Sequence, residues 1–167
     1  MVPAPSPPAL TFRLKAFADL DVVELHELVR LREEVFVVGQ RITAEAEFDG
    51  KDPEAHHVLG REGAGRLVAT ARLFLGAAPV KVGRICVEPG LQRSGLGTRL
   101  MEFVHASLGA RAAAMSAQAH LRPWYERLGW RSEGPLYDEC GIPHVRLVRP
   151  GDVSERNVRR GKATGSG

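Results

Sequence analysis

Arg84-Ile85-Cys86-Val87-Glu88-Pro89-Gly90-Leu91-Gln92-Arg93-Ser94-Gly95-Leu96-Gly97-Thr98 reads as a strand, a break at Pro89-Gly90, and a Gly-rich turn feeding directly into a helix. The first N–H groups of such a helix have no intrahelical partner, and its peptide dipoles place partial positive charge there. A phosphate bridge can therefore dock without a lysine. Gly95 and Gly97 lack a Cβ, which lets a pyrophosphate come close to the main chain. A lone Gly-x-Gly can equally do no more than make a tight strand-to-helix turn, so surrounding residues must decide between the two readings. The spacing is neither a P-loop, which needs Gly-Lys-Ser/Thr, nor a dinucleotide GxGxxG, since position 100 is Leu100.

Upstream, a short strand is expected over Leu10 to Phe17. Asp21 and Glu24 form a capping-box pair before Val22, Leu25, Leu28, Val29, Leu31, Val35 and Phe36, which recur at helical spacing in a helix ending near Gly39. Arg41 to Glu54 is polar, with turn signals at Asp49-Gly50 and Pro53. Two strands follow, His56 to Arg61 and Arg66 to Leu75, and the alternation of Leu67, Ala69, Ala71, Leu73 and Leu75 suits a half-buried strand. Val80 to Val87 is another strand. In the helix from about Gly95 to Leu108, Leu96, Leu100, Phe103 and Val104 share a face, and Gly109 ends it. Ala112 to Ala117 fits a short buried strand, although its alanines suit a helix by propensity. Pro123 opens a helix over Trp124 to Leu128, closed by Gly129, and strands around Trp130 to Tyr137 and Ile142 to Val148 complete an α/β pattern.

With 167 residues and 44% hydrophobic side chains, the chain suffices for one sizeable core. The expected organisation is a Pro-rich flexible N-terminus over 1–9, one domain over 10–150, and a flexible basic tail over 151–167. A net charge of +3 and a pI near 9.2 hint at a polyanionic partner, but the basic residues are interleaved with acids, so nucleic acid is not the expected partner. The two cysteines, Cys86 and Cys140, form no CxxC pair. Neither a disulfide framework nor a zinc site is expected, and this usage fits a reducing, cytoplasmic compartment. No apolar run of about 18 residues occurs, and Met1 to Pro8 is Pro-rich rather than Lys-then-apolar, so neither a membrane span nor a signal peptide is expected.

The sequence resembles the GNAT (Gcn5-related) N-acetyltransferase superfamily, whose acetyl-CoA loop reads Gln/Arg-x-x-Gly-x-Gly/Ala and is matched by Gln92, Gly95 and Gly97. Downstream, Gln118-Ala119-His120-Leu121-Arg122-Pro123-Trp124-Tyr125-Glu126-Arg127-Leu128-Gly129-Trp130 is similar to that family's Asn-x-x-Ala-x-x-x-Tyr-Glu-x-x-Gly-Phe segment. Gln118 stands where Asn is usual, and Tyr125 is in register. Arg32 to Val38, Asp49 to Asp52, His57 and Gly141-Ile142-Pro143-His144 resemble the ElaA-like branch. The chain departs from that branch at Gly39 to Thr43, where an acid followed by Gln-Cys-Pro-Tyr is common, and at Cys140, where an acid is commoner.

The resemblance implies a single GNAT-type domain, with a central mixed sheet of about seven strands and helices on both faces. It implies acetyl-CoA as co-substrate, no metal, and direct transfer to a primary amine of a small molecule or peptide by a monomer or homodimer. It gives Gln92, Arg93, Ser94, Gly95, Leu96, Gly97 and Thr98 to the pyrophosphate. Main-chain groups near Ile85 and Val87 pair with the pantetheine arm, a Val87 N–H can polarise the acetyl carbonyl, and Cys86 and Gln118 also count among the cofactor-binding residues. Tyr125 becomes the general acid for the departing thiolate. Glu47, Asp49, His57, Glu88, His144 and Glu139 are each conceivable as the base that deprotonates the incoming ammonium, directly or through water, although a lone loop carboxylate is usually solvated and a lone His usually structural, so none is singled out. Cys86 has no base partner at a recognisable spacing, so a buried apolar role is expected of its side chain. A transferase using a longer acyl-CoA and a non-catalytic acyl-CoA-binding module remain as alternatives.

Overall fold

The computed structural model describes residues 9–38, 47–63 and 65–152. Residues 1–8 and 153–167 of the expected tails, the helix end near Gly39 and the divergent Gly39 to Thr43 stretch lie outside the described residues, while the Asp152 N–H donates to the Ala110 carbonyl at 3.0 Å. The strands are β1 (Leu10–Ala16), β2 (His56–Glu62), β3 (Leu67–Phe74), β4 (Val80–Val87), β5 (Ala113–Gln118), β6 (Arg131–Glu139) and β7 (Ile142–Arg149). The helices are α1 (Val22–Arg32), α2 (Leu96–Leu108) and α3 (Arg122–Arg127). The strands form one mixed sheet in the order β1-β2-β3-β4-β5-β7-β6, in which β4 and β5 run parallel while β1–β2, β2–β3, β5–β7 and β6–β7 are antiparallel. This is the expected single α/β domain with a seven-stranded sheet. Within it the chain gathers into two compact units. One holds the chain up to Leu73 together with Arg84–Val104, and the other holds Phe74–Gly83 with everything from His105 on.

In the first unit, Asp21 caps α1 as its spacing predicts. Its carboxylate accepts from the N–H groups of Val23 (2.9 Å) and Glu24 (2.8 Å), and Glu24 returns a bond from the Asp21 N–H at 3.0 Å. The apolar face of α1 buries Leu28 and Leu31 completely, and these pack with Val35, Leu59, Leu67 and Cys86. Beyond Arg32 the helix widens into a π-turn over Glu33–Val38, a local form that sequence spacing does not signal. β3 departs from expectation, because it is buried on both faces instead of one. Its second face carries Val68, Thr70 and Arg72, and the polar members find partners inside: Thr70 donates to the Val58 carbonyl (2.7 Å), and the two terminal nitrogens of Arg72 are ion-paired.

In the second unit the Ala-rich stretch settles as β5. β5 pairs with β7 along its full length and buries Ala113, Ala114, Met115 and Ala117, so tertiary pairing overrides alanine's helical preference. Pro123 lies in the first turn of α3, where its missing N–H costs nothing. Trp130, 1% exposed, donates its indole N–H to His105 Nε2 at 2.9 Å, which satisfies the one polar atom of a buried ring.

Candidate active site

The Gly-rich stretch has the predicted form. A short turn at Pro89–Leu91 follows β4, and Arg93 (φ 64°) and Gly95 (φ 85°) adopt left-handed backbone that swings the chain into α2. The first helical bond runs from the Arg99 N–H to the Gly95 carbonyl (3.2 Å), so the N–H groups of Leu96, Gly97 and Thr98 precede it. Gln92, Arg93, Ser94 and Gly95 are exposed, and a Cβ added at Gly95 would meet nothing within 4 Å. Two side chains brace the turn: Gln92 Nε2 donates to the Val87 carbonyl (3.4 Å), and Ser94 Oγ donates to the Leu91 carbonyl (2.5 Å). These features fit an anion seat built from main-chain donors. Leu96 itself is buried in the core.

Along β4, Ile85 and Val87 are half-buried, and Cys86 points into the α1 core. Burial pushes the Cys86 thiol up to about 12, so it stays protonated and is no nucleophile. Just before these residues Arg84 takes φ 49°, a left-handed conformation unusual for a non-glycine residue within a strand.

Side chains from four segments of the same unit close a cycle around that kink. Arg32 pairs with Glu47 and, at 3.0 Å, with Asp52. Arg72 pairs with Asp52 at 3.0 Å and with Asp49 at 2.8 Å. Arg84 pairs with Glu47 at 3.1 Å and Asp49 at 3.6 Å. Each arginine thus spans two carboxylates, and each carboxylate spans two arginines. The Arg72 fork, with its bidentate hydrogen bonds, holds Asp49 far below the usual carboxylate range, against a smaller opposing effect of burial. For Asp52, burial pushes upward, but Arg32 and Arg72 outweigh it and the carboxyl is lowered.

Of the acceptor-side candidates, Glu47, Asp49 and His57 gather here. His57 is fully buried, with Nε2 3.1 Å from the Asp52 carbonyl oxygen, and burial lowers its pKa so that the ring stays neutral. Glu88 lies outside this cycle: its N–H donates to the Val68 carbonyl (2.8 Å), and its carboxylate pairs with Arg66 at 2.7 Å.

The remaining candidates belong to the second unit. Gln118 closes β5 and is the cross-strand partner of His144. Tyr125 is 5% exposed on α3, in edge contact with Trp124 (centroids 4.7 Å apart), and burial raises its phenol well above the ordinary value. The sequence reading missed Arg32, Arg72 and Arg84, whose partners come from remote segments.

This strand–turn–helix on a seven-stranded mixed sheet is matched over residues 26–149 by the family model described as "Acetyltransferase (GNAT) domain". The chain belongs to the GNAT acetyltransferase family and is an acyltransferase by class. Within that family it is an ElaA-like protein. It is 33% identical to the protein ElaA of Escherichia coli over 141 residues, covering 79% of this chain and 91% of ElaA. It is also 35% identical to a UPF0039 protein of Schizosaccharomyces pombe, covering 83% and 95% of the two chains. The crystal structure of E. coli ElaA superposes with a TM-score of 0.74 at 30% identity, covering 84% of this chain and 99% of that one. An acyl-CoA N-acyltransferase from Pseudomonas aeruginosa superposes at 0.76 with 34% identity and the same coverage.

Proposed function

We propose that the protein transfers the acetyl group of acetyl-CoA to a primary amine by direct attack in a ternary complex. The observation that carries this reading is the exposed turn at Gln92 to Gly95 opening onto the N–H groups of Leu96, Gly97 and Thr98, which precede the first i→i−4 bond of α2. These donors take the pyrophosphate, with main-chain groups of Ile85 and Val87 on the pantetheine arm. Cys86 contributes only its backbone, since its thiol is committed to the core. The acceptor nitrogen attacks the acetyl carbon, the oxyanion is polarised by the Val87 N–H, and the C–S bond breaks. Alignment of two bound reactants and one oxyanion donor, the latter worth about 2.7–4 kcal/mol, supply most of the rate. The test is free-thiol release from acetyl-CoA with a panel of polyamines, amino acids, aminoglycosides and peptides. Acetyl-CoA binding without thiol release for any of them would leave a binding module instead of an enzyme.

In this mechanism the role assigned to Tyr125 is to donate to the leaving sulfur. Its raised pKa keeps the hydroxyl protonated at every physiological pH. Full transfer to a thiolate, whose conjugate acid sits near 8.5, is uphill, so the phenol acts mainly by hydrogen-bonding the developing charge. Tyr125→Phe is accordingly expected to lower single-turnover acetyl transfer by about 10²-fold, the low end of general-acid effects, with acetyl-CoA affinity retained. Undiminished chemistry would remove Tyr125 from the mechanism, and lost affinity would reassign it to binding.

A further inference from the structure

The ionic cycle of Arg32, Arg72, Arg84, Glu47, Asp49 and Asp52 lies wholly within one compact unit, the unit that also holds Val87 and the Gly-rich turn. Its members are not equivalent. The side chains of Arg32, Arg72, Glu47 and Asp52 are at most 10% exposed, whereas Arg84 is 28% and Asp49 24% exposed, so the cycle opens to solvent at one corner. That corner is also a loose link, because Arg84 Nη2 stands 3.6 Å from Asp49 Oδ2, beyond hydrogen-bond reach. The other two arginines are hydrogen-bonded to their carboxylates. Arg32 donates from Nε to Glu47 and from Nη1 to Asp52 at 3.0 Å, and Arg72 donates to Asp52 at 3.0 Å and to Asp49 at 3.0 and 2.8 Å. Arg84 donates no hydrogen bond among the described residues. Its Nε is buried without a hydrogen-bond partner although Glu47 Oε2 is 3.1 Å away, and its two terminal nitrogens are not buried.

We propose that Arg84 seats a carboxylate of the acceptor and that the acceptor is therefore a free amino acid, an assignment that rests on the acyltransferase reading above. A guanidinium held by charge alone keeps the donors of its planar fork, and that fork matches a carboxylate bidentately. Charge decides which carboxylate-bearing molecule fits. The cycle balances three arginines against three carboxylates, so a simple anion at Arg84 would also face Glu47 and Asp49. A zwitterion adds one charge of each sign, with its carboxylate on Arg84 and its ammonium drawn to the exposed Asp49 before it loses a proton and attacks. The position along the strand suits the reaction. Arg84 stands three residues before Val87 on β4, about 10 Å of extended chain, an interval that an arginine side chain and an amino acid together span.

Acceptor pairs that differ only in the carboxylate test this on the native full chain: lysine against cadaverine, ornithine against putrescine, and phenylalanine against phenethylamine, each with acetyl-CoA while free thiol is measured. In every pair that releases thiol the amino acid should show the higher kcat/KM, by about 10-fold or more, the size of a charge-assisted hydrogen-bond pair to a carboxylate. Arg84→Asn tolerates the left-handed φ of 49° but carries no charge, so it should bring that ratio close to one by raising KM for the amino acid. Arg84→Lys keeps the charge without the fork and should leave the ratio between the two. A native ratio at or below one overturns the proposal whether or not the variants fold, and so does an undiminished ratio in folded Arg84→Asn. Either result leaves the acyltransferase reading standing. Absence of thiol release with every amine of these pairs and of the wider panel overturns both.

Discussion

Gly95→Asp is expected to abolish acetyl-CoA binding while the domain remains folded. Gly95 has φ 85°, and a Cβ there meets no atom within 4 Å, so an aspartate fits sterically and pays only for its left-handed backbone, a conformation that Asp tolerates better than most residues. Its carboxylate would lie at the start of α2, where it can accept the N–H groups of Gly97 and Thr98 as a helix cap and so occupy donors assigned to the pyrophosphate. Like charges about 4 Å apart at an effective dielectric near 20 repel by about 4 kcal/mol, equivalent to roughly a thousandfold in affinity. Gly95→Asn separates the effects, because it keeps the size and backbone cost without the charge and should bind only modestly more weakly than the native chain. Calorimetry with acetyl-CoA on the folded variants makes the comparison. An unchanged dissociation constant for Gly95→Asp would remove the phosphate from this turn.

The parts of this molecule legible in its sequence are those decided by neighbours along the chain. The capping box at Asp21 and Glu24, the Gly-rich turn that opens α2 and Pro123 in the first turn of α3 are local, and each forms where its spacing places it. The burial of β3 on both faces was hidden because it depends on Arg72 finding Asp49 and Asp52, a partnership of residues 23 and 20 positions apart. An arginine read alone counts as a surface residue. Ala112 to Ala117 was ambiguous by propensity, since only the pairing of β5 with β7 makes it a strand. The candidate site divides the same way. The Gly-rich turn could be read directly, whereas the Glu139–His144 pair emerges from the hairpin register of β6 and β7, which sequence distance does not reveal.

Arg72→Met is expected to cost about 3–5 kcal/mol of stability, the size observed when one partner of a buried ion pair is removed. Met keeps the length and apolar contacts of the side chain. The loss comes from leaving Asp52 with Arg32 as its one arginine, and Asp49 with the longer 3.6 Å contact to Arg84 beside the 3.0 Å bond it accepts from the Lys51 N–H. Because Arg84 holds its left-handed backbone immediately before Ile85, weakening its carboxylate partners should also loosen the strand expected to carry the pantetheine arm. The pH dependence follows from the direction of the shifts. Asp49 and Asp52 titrate below their ordinary value in the folded chain, so their contribution is complete above about pH 4 and is lost as pH falls below it. Denaturant unfolding of both proteins should therefore show a large difference at pH 7 that narrows towards pH 3. A difference at pH 7 below about 1 kcal/mol, the value of an exposed pair, would mean that the six-membered cycle is not the brace of this unit. A difference that persisted undiminished in acid would assign the loss to packing instead of charge.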